Sequence, residues 1–364
     1  MSAPLPPPGT TRTPGTTRTP GTTSPTGTTS PTGTTALEVS DLSVRFPVRG
    51  AKRWVQAVDG VSFSIARGES LGVVGESGCG KSTIARALLR LVPATRGAVR
   101  FRGADLLTLD GPALRAMREH LQIIFQDPLA ALDPRMNVAA IIEEPLLEFR
   151  PAMGSAARRD QVLVMLGRVG LLPAHLNRYP HEFSGGQAQR IGIARALMLG
   201  PELLVCDEPI SALDVSIKAQ ISNLLKDLQL DFGLSVLFIA HDLATVRFSC
   251  DRILVLYLGR VMEIAPRSAL FDTPRHPYTR ALLQSVPLTD PALARARRAV
   301  PLSGEIPSPM APPSGCVFRT RCQFAEARCA EEVPPLRPVG TSLVACHRAE
   351  ELLGAPRHDA MAAD

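Results

Sequence analysis

Residues 75–83 read Gly75, Glu76, Ser77, Gly78, Cys79, Gly80, Lys81, Ser82, Thr83, the spacing G-x-x-x-x-G-K-[ST] of a phosphate-binding loop. Glycines let backbone N–H groups converge on phosphate oxygens, and a helix opening near Lys81 adds positive potential. Lys81 would neutralise β/γ charge, and the Ser82 hydroxyl would coordinate Mg²⁺. Downstream, LLVCDE ends an apolar run in Asp207 and Glu208. With a phosphate loop, such a pair has a division of labour: Asp207 holds Mg²⁺ through water, and Glu208 polarises the attacking water as general base. His241 closes the next apolar run, SVLFIAH, and gains a catalytic reading if its strand lies beside that of Asp207. Ser184, Gly185, Gly186 and Gln187, after Phe183, form a turn entering a helix near Gln187, a second backbone anion site. Finally, Cys316, Cys322, Cys329 and Cys346 are spaced C-x5-C-x6-C-x16-C. Four thiolates suit zinc or an iron–sulfur cluster, and the lack of a C-x2-C knuckle disfavours zinc; a structural staple fits this apolar-poor segment.

Positioning these groups requires strands that end at them. LGVVG, residues 71–75, reads as a short buried strand, as do LLVCD and SVLFIAH. Between the last two, Ile217, Ile221, Leu224, Leu225, Leu228 and Phe232 fall on one 3.6-period stripe closed by Gly233. Strand, helix, strand implies a parallel α/β sheet whose strand ends carry the chemistry. Ahead of it, Leu37, Val39, Val44 and Phe46, then Val61, Phe63 and Ile65, predict an antiparallel layer. Residues 137–199 are helical in pattern, with no convincing strand, and predict an all-helical insertion.

Composition excludes several classes. With 364 residues and 45% apolar content the chain can bury a core. No apolar run reaches the roughly 18 residues of a membrane-spanning helix, and the first residues lack the apolar centre of a secretory signal, so a cytosolic protein is expected. The net charge of +6 comes without any run of five basic residues, so no nucleic-acid partner is expected. Seven cysteines is an odd count for a disulfide framework; Cys79, Cys206 and Cys250 read as ordinary small residues. From Thr10 a six-residue unit recurs, TTRTPG twice and TTSPTG twice, with nothing apolar larger than proline. Residues 1–36 are therefore expected to be a disordered tether.

In this order the motifs resemble those of ATP-binding-cassette (ABC) ATPases, over essentially residues 37–266. The Walker A loop GESGCGKST, the Q-loop Gln126 in IIFQDP, the signature FSGGQ, the Walker B strand LLVCDE, the D-loop SALD ending at Asp214 and the switch His241 carry the likeness. It implies a P-loop NTPase (RecA-like) α/β core with an antiparallel β subdomain and a helical subdomain near 137–199, binding ATP and Mg²⁺. It also implies a head-to-tail dimer in which Ser184 and Gly186 serve the partner's nucleotide, and Gln126 senses the γ-phosphate and Mg²⁺. An adenine-stacking aromatic is implied before Walker A, and Trp54 is favoured over Phe46. Two departures, Phe183 for the commoner leucine and Ile210 where threonine is usual, touch no reacting group.

The tail, residues 267–364, narrows the likeness. HPYTRALLQSVP, LSGEIPSP and GCVFRTRC resemble the C-terminal extension of oligopeptide and dipeptide importer ATPases, most closely their F-type subunits. That resemblance implies a D-type ATPase partner, two transmembrane permease subunits and an extracytoplasmic solute-binding protein, at the cytoplasmic face of the cell membrane. It also implies a [4Fe-4S] cluster on the four cysteines of this extension, with zinc as the alternative. Nickel or glutathione remain alternative cargoes. A soluble ABC ATPase acting on nucleic acid or ribosomes is the reading from another class, disfavoured by the single phosphate loop and compact insertion.

Overall fold

A computed structural model describes residues 34–48, 50, 53–211, 213–285 and 304–354. Residues 1–33 of the expected tether lie outside it. Strand β1 (Thr35–Pro47) begins two residues inside the expected tether, because Ala36 and Leu37 are already buried against the first core.

β1 pairs antiparallel with β2 (Trp54–Ala66), as the alternating apolar pattern requires. After β3 (Ser70–Val74) and α1 (Lys81–Leu88), β4 (Arg96–Phe101) and β5 (Ala104–Asp105) complete a four-stranded sheet of order β2-β1-β4-β5. Helix α2 (Gly111–Arg118) leads into β6 (Leu121–Ile124). The next segment is helical: α3 (Val138–Phe149), capped by the Asn137 side chain, α4 (Ser155–Arg168) and α5 (Gly185–Leu197).

Next come β7 (Leu203–Asp207), α6 (Val215–Phe232), β8 (Ser235–Ile239), α7 (Leu243–Ser249), β9 (Arg252–Tyr257) and β10 (Arg260–Pro266). Gly233 ends α6 at φ 64°, the left-handed cap its position after the stripe predicts. The parallel strands lie in the order β9-β3-β8-β7-β6. Side chains alternate between two cores across this sheet. Leu203, Val205, Leu237 and Ile239 face the antiparallel layer and α1. Leu204, Cys206, Val236 and Phe238 face the helical segment, with Ile142, Leu166 and Ile191.

The tail extends the large sheet rather than standing apart from it. After α8 (Arg267–Asp272), α9 (Pro277–Ser285) and the short α10 (Arg328–Glu331), strands β11 (Arg337–Val339) and β12 (Ser342–Val344) form a hairpin, and β12 pairs antiparallel with β10. Its anchor is Glu263 of β10, fully buried, whose carboxylate accepts the Arg275 and His276 N–H groups at the start of α9. His276 Nδ1 in turn accepts the Tyr278 N–H at 3.0 Å. Burial holds His276 neutral, with its pKa pushed from 6.5 down to about 3.

A histidine depressed in the folded state takes up its proton first in the unfolded chain, so its contribution is intact above pH 6.5 and is lost towards pH 3. The stability gap between the wild type and His276→Asn, measured by urea unfolding, is therefore expected to shrink by about 1.4 kcal/mol per pH unit below neutrality. Referring each pH to the variant removes the contribution of Glu263, whose carboxyl is raised by burial and acts with the opposite sign. A gap constant from pH 7 to 5 would show that His276 titrates alike in both states.

Candidate functional site

The loop between β3 and α1 approaches neighbouring backbone too closely for side chains. Gly80 sits at φ 108°, and a Cβ there would lie 2.2 Å from the Ala57 carbonyl oxygen, so glycine is required. Lys81, 4% exposed, turns its ammonium back over the loop and donates to the Gly75 and Glu76 carbonyls at 2.8 and 3.1 Å. Behind it, the Ser82 hydroxyl donates to Asp207 Oδ1 at 2.7 Å. Asp207 Oδ2 is buried without a hydrogen-bond partner among the described residues, and burial raises the carboxyl's pKa. A hydroxyl beside a buried carboxylate oxygen without a partner is a hard-oxygen donor set, and these residues fit a Mg²⁺ ion.

Pairing of β7 with β8 opposes Asp207 to Ile239, and the Glu208 N–H donates to the Ile239 carbonyl at 3.1 Å. His241 lies two residues past the end of β8, so the strand adjacency on which its reading depends is present. Its Nε2 is 3.7 Å from the carboxylate of Asp242, which also caps α7 through the Thr245 N–H. Glu208 adopts φ 49°, an uncommon left-handed conformation for a non-glycine residue. The Gln126 side-chain amide, two residues past β6, donates to Glu208 Oε2 at 2.9 Å. Thus the loops after β3, β6, β7 and β8 deliver Lys81, Gln126, Glu208 and His241 to the carboxyl edge of one parallel sheet, where open α/β sheets hold ligands.

The other expected groups are placed as follows. Helix α5 begins at Gly185, two residues before the expected start, because Ser184 caps it reciprocally with Gln187. Gly186 packs tightly on α6, where a Cβ would come within 2.6 Å of Ile217 Cγ2. Among the described residues, no hydrogen bond or ion pair joins residues 184–187 to residues 75–83. Asp214 is the N-cap position of α6 without a side-chain capping bond, and Ala212 of the D-loop lies outside the described residues. Trp54, at the start of β2, is 58% exposed and free to present an aromatic face. Phe183 and Ile210 are both buried in the helical-side core, consistent with apolar tolerance at those positions.

Comparison with known proteins agrees with this geometry. A family profile described as ABC transporter matches residues 58–211, and one described as Oligopeptide/dipeptide transporter, C-terminal region, matches residues 262–329. The chain is 52% identical over 323 residues to the Oligopeptide transport ATP-binding protein OppF of Salmonella typhimurium, covering 87% of this chain and 97% of that relative. The chain belongs to the ABC transporter ATPases of the oligopeptide/dipeptide type. Oligopeptide transport ATP-binding protein AppF of Bacillus subtilis is 50% identical over 318 residues, covering 85% of this chain and 96% of that protein. Among solved structures, a dimeric ATP-binding cassette in a post-hydrolysis state bound to ADP and Pi superposes with TM-score 0.59 at 30% identity, covering 64% of this chain and 98% of the cassette.

Beyond the ABC cassette core, the four tail cysteines line one small cavity of about 20 Å³ together with His276 and His347. Burial raises the thiols of Cys316, Cys322 and Cys346, Cys322 to about 12 and Cys346 to about 11, and the neighbouring thiols raise these last two further. Among the described residues no group of three or more His, Cys, Asp or Glu side chains is arranged to hold a metal ion. The remaining cysteines, Cys79, Cys206 and Cys250, are each buried and separate from this cavity.

Two side chains of the extension reach the phosphate loop, and motif reading misses both. Tyr278 accepts the Glu76 N–H through its hydroxyl at 3.1 Å, and Arg321 grips the Glu76 carboxylate. Separations of 202 and 245 residues leave no periodicity or spacing signal; an arginine between two clustered cysteines is the one sequence feature that marks the second.

Proposed function

We infer that this chain is the ATP-hydrolysing subunit that energises import of oligopeptides or dipeptides through a membrane ABC transporter. The observation that carries the reading is the 52% identity to OppF, which spans 97% of that protein's length. The substrate class rests on this likeness and on the C-terminal region match, because nothing in the cassette touches cargo.

In the reaction, residues 75–83 cradle the phosphates through backbone N–H groups while Lys81 offsets β/γ charge. Ser82 and Asp207 would hold Mg²⁺, which when bound would supply positive charge against the phosphoryl oxygens. Glu208 takes the proton of the attacking water, with Gln126 holding its carboxylate until the γ-phosphate arrives and His241 stabilising that end of the site. Ser184, Gly185, Gly186 and Gln187 close over the partner subunit's nucleotide, and Asp214 lies at the same interface. The dimeric form of the similar cassette supports a head-to-tail dimer. Trp54 stacks on adenine. A D-type paralogue, two permeases and a solute-binding protein complete the assembly at the cytoplasmic membrane face. No described helix is long and apolar enough to cross a membrane. Residues 1–34 serve as a tether, 35–266 as the cassette and 267–364 as its extension. Affinity purification from native membranes is expected to recover permeases and a solute-binding protein; recovery of ribosomes or chromatin without a permease would sink the transporter reading.

The four tail cysteines are read as ligands of a [4Fe-4S] cluster in preference to zinc, on the likeness of this extension to the C-terminal region of oligopeptide and dipeptide transporters. A lone zinc, with Zn–S near 2.3 Å, would need the four sulfurs drawn more tightly together than a cluster would. A cluster gives each of four irons one thiolate and spreads the sulfurs around a cavity, as Cys316, Cys322, Cys329 and Cys346 are spread. Deprotonating these thiols is opposed by burial, and cationic iron would offset that cost. Anaerobically purified protein is expected to contain iron and acid-labile sulfide at about four each per chain, with broad visible absorption. One zinc per chain and no visible absorption would exclude the cluster.

A further inference from the structure

Three polar groups of Glu76 are held by side chains, two of them from the C-terminal extension. Its N–H donates to the Tyr278 hydroxyl of α9, its carbonyl accepts from Lys81 Nζ, and its carboxylate is gripped by Arg321 with nitrogen–oxygen distances of 2.7 and 3.1 Å. Arg321 comes from the turn between Cys316 and Cys322, 245 residues further along the chain. Its side chain is 6% exposed and that of Glu76 21%. The guanidinium also lies 5.9 Å from the centre of the Tyr257 ring, at the end of β9. Tyr257, Tyr278 and Phe318 pack ring to ring with centroids 4.7 to 5.4 Å apart, so the arginine is carried on an aromatic wedge driven between the extension and the cassette.

A carboxylate in the second position of a phosphate loop is an electrostatic liability. Unpaired, it would repel a triphosphate a few ångströms away in a partly buried setting where charges are weakly screened. Arg321 removes that liability with a bidentate, charge-assisted pair, a geometry that suits arginine and not lysine. The pair also fixes the direction of the Glu76 side chain, and with Tyr278 and Lys81 it defines the backbone path along which the loop's N–H groups must converge. Burial adds a second demand: among the described residues Arg321 is the cation paired with this carboxylate, and its loss leaves the charge partly buried without that partner.

We propose that Arg321 is a positioning residue for the nucleotide site: the extension's cysteine turn neutralises Glu76 and sets the phosphate loop for triphosphate binding. This rests on the assignment of residues 75–83 to ATP. Arg321 touches no phosphate itself. It acts through Glu76, so its removal weakens nucleotide affinity while the rate at saturating ATP, set by Glu208 and its neighbours, is retained. The extension is thereby part of each chain's own ATP site and not an appendage to it.

Titration of the full-length chain with MgATP separates this from a merely structural contact. Arg321→Met is expected to bind about tenfold more weakly than wild type, the scale of one lost charge-assisted pair. Adding Glu76→Gln in the same chain is expected to restore affinity to within about twofold of Glu76→Gln alone, because the unpaired charge is gone. Arg321→Lys is expected to fall between, keeping charge without the fork. In the assembled transporter, Arg321→Met should raise KM and leave kcat unchanged. Should Arg321→Met fail to fold, the double variant and Arg321→Lys carry the comparison on the same terms. Wild-type affinity in Arg321→Met, or an equal loss with and without Glu76→Gln, would overturn the inference while leaving the ATP reading intact. A wild-type chain that takes up no MgATP would overturn the ATP reading itself.

Discussion

Glu208→Gln in the assembled transporter is expected to lower ATP hydrolysis by about a hundredfold to ten-thousandfold, the range for removing a positioned general base. ATP binding is expected to persist, because the phosphate loop, Ser82 and Asp207 are untouched by an isosteric change. Geometry makes the substitution a clean one. Glu208 holds φ 49°, its N–H is fixed by the Ile239 carbonyl and its carbonyl accepts from the Ser211 hydroxyl at 3.1 Å. All of these are backbone features that glutamine retains. Gln126 donates to the carboxylate oxygen Oε2, and it has an equivalent acceptor in the new amide. What disappears is the ability to accept a proton from water. A single-turnover assay reads this directly, and a rate within twofold of wild type would remove Glu208 from the chemistry. The neighbouring carboxylate offers no substitute. Asp207 is buried at the end of β7 against Ser82, a place suited to a cation and not to a water approaching the far side of a phosphate.

The contrast between these two adjacent acids was legible in the sequence, since an apolar strand ending in Asp-Glu beside a phosphate loop has few other chemical uses. So were the stripe of α6 with its Gly233 stop, the strand before the loop and the helical run beyond Asn137, all of which rest on local periodicity. The placement of His241 beside Asp207 needed one topological assumption, parallel adjacency of two strands flanking a helix, and the right-handed crossover rule favours it. Contacts without periodicity were not legible. Nothing in the tail announces that Ser342, Leu343 and Val344 add a strand to β10, because a three-residue strand between turns has no pattern to count. The Arg321–Glu76 pair joins residues 245 apart, and its cause is spatial: β9 lies next to β3, so whatever packs on Tyr257 stands over the loop that follows β3. The early start of α5 came from a capping box that is visible in S-G-G-Q once Ser184 is taken as the cap. Gathering of the four cysteines was legible as a concentration of thiols, whereas their arrangement around a cavity was not.

Lys81→Ala is expected to weaken MgATP binding by about a hundredfold or more and to abolish hydrolysis at this site, since two charge-assisted bonds to phosphate are each worth about 1.5 to 3 kcal/mol. The lysine does two jobs that the structure separates. Its ammonium donates to both the Gly75 and Glu76 carbonyls, sharing the second with the Cys79 N–H at 3.3 Å, and so ties the start of the loop to α1. It also waits, 4% exposed, at the entrance to α1, where the helix N-terminus already favours anions. Alanine removes both, so loss of affinity could come from a slack loop as well as from lost charge. Lys81→Arg distinguishes them: it keeps the charge and can still donate to a carbonyl, but its planar fork does not fit where Nζ meets both carbonyls. If charge dominates, arginine should recover most of the affinity in an equilibrium titration; if loop geometry dominates, it should bind as poorly as alanine. Unchanged affinity in Lys81→Ala would mean that residues 75–83 do not hold the triphosphate. Because Glu76 is shared between Lys81 and Arg321, the two substitutions should also be non-additive, each loosening the same residue from a different side.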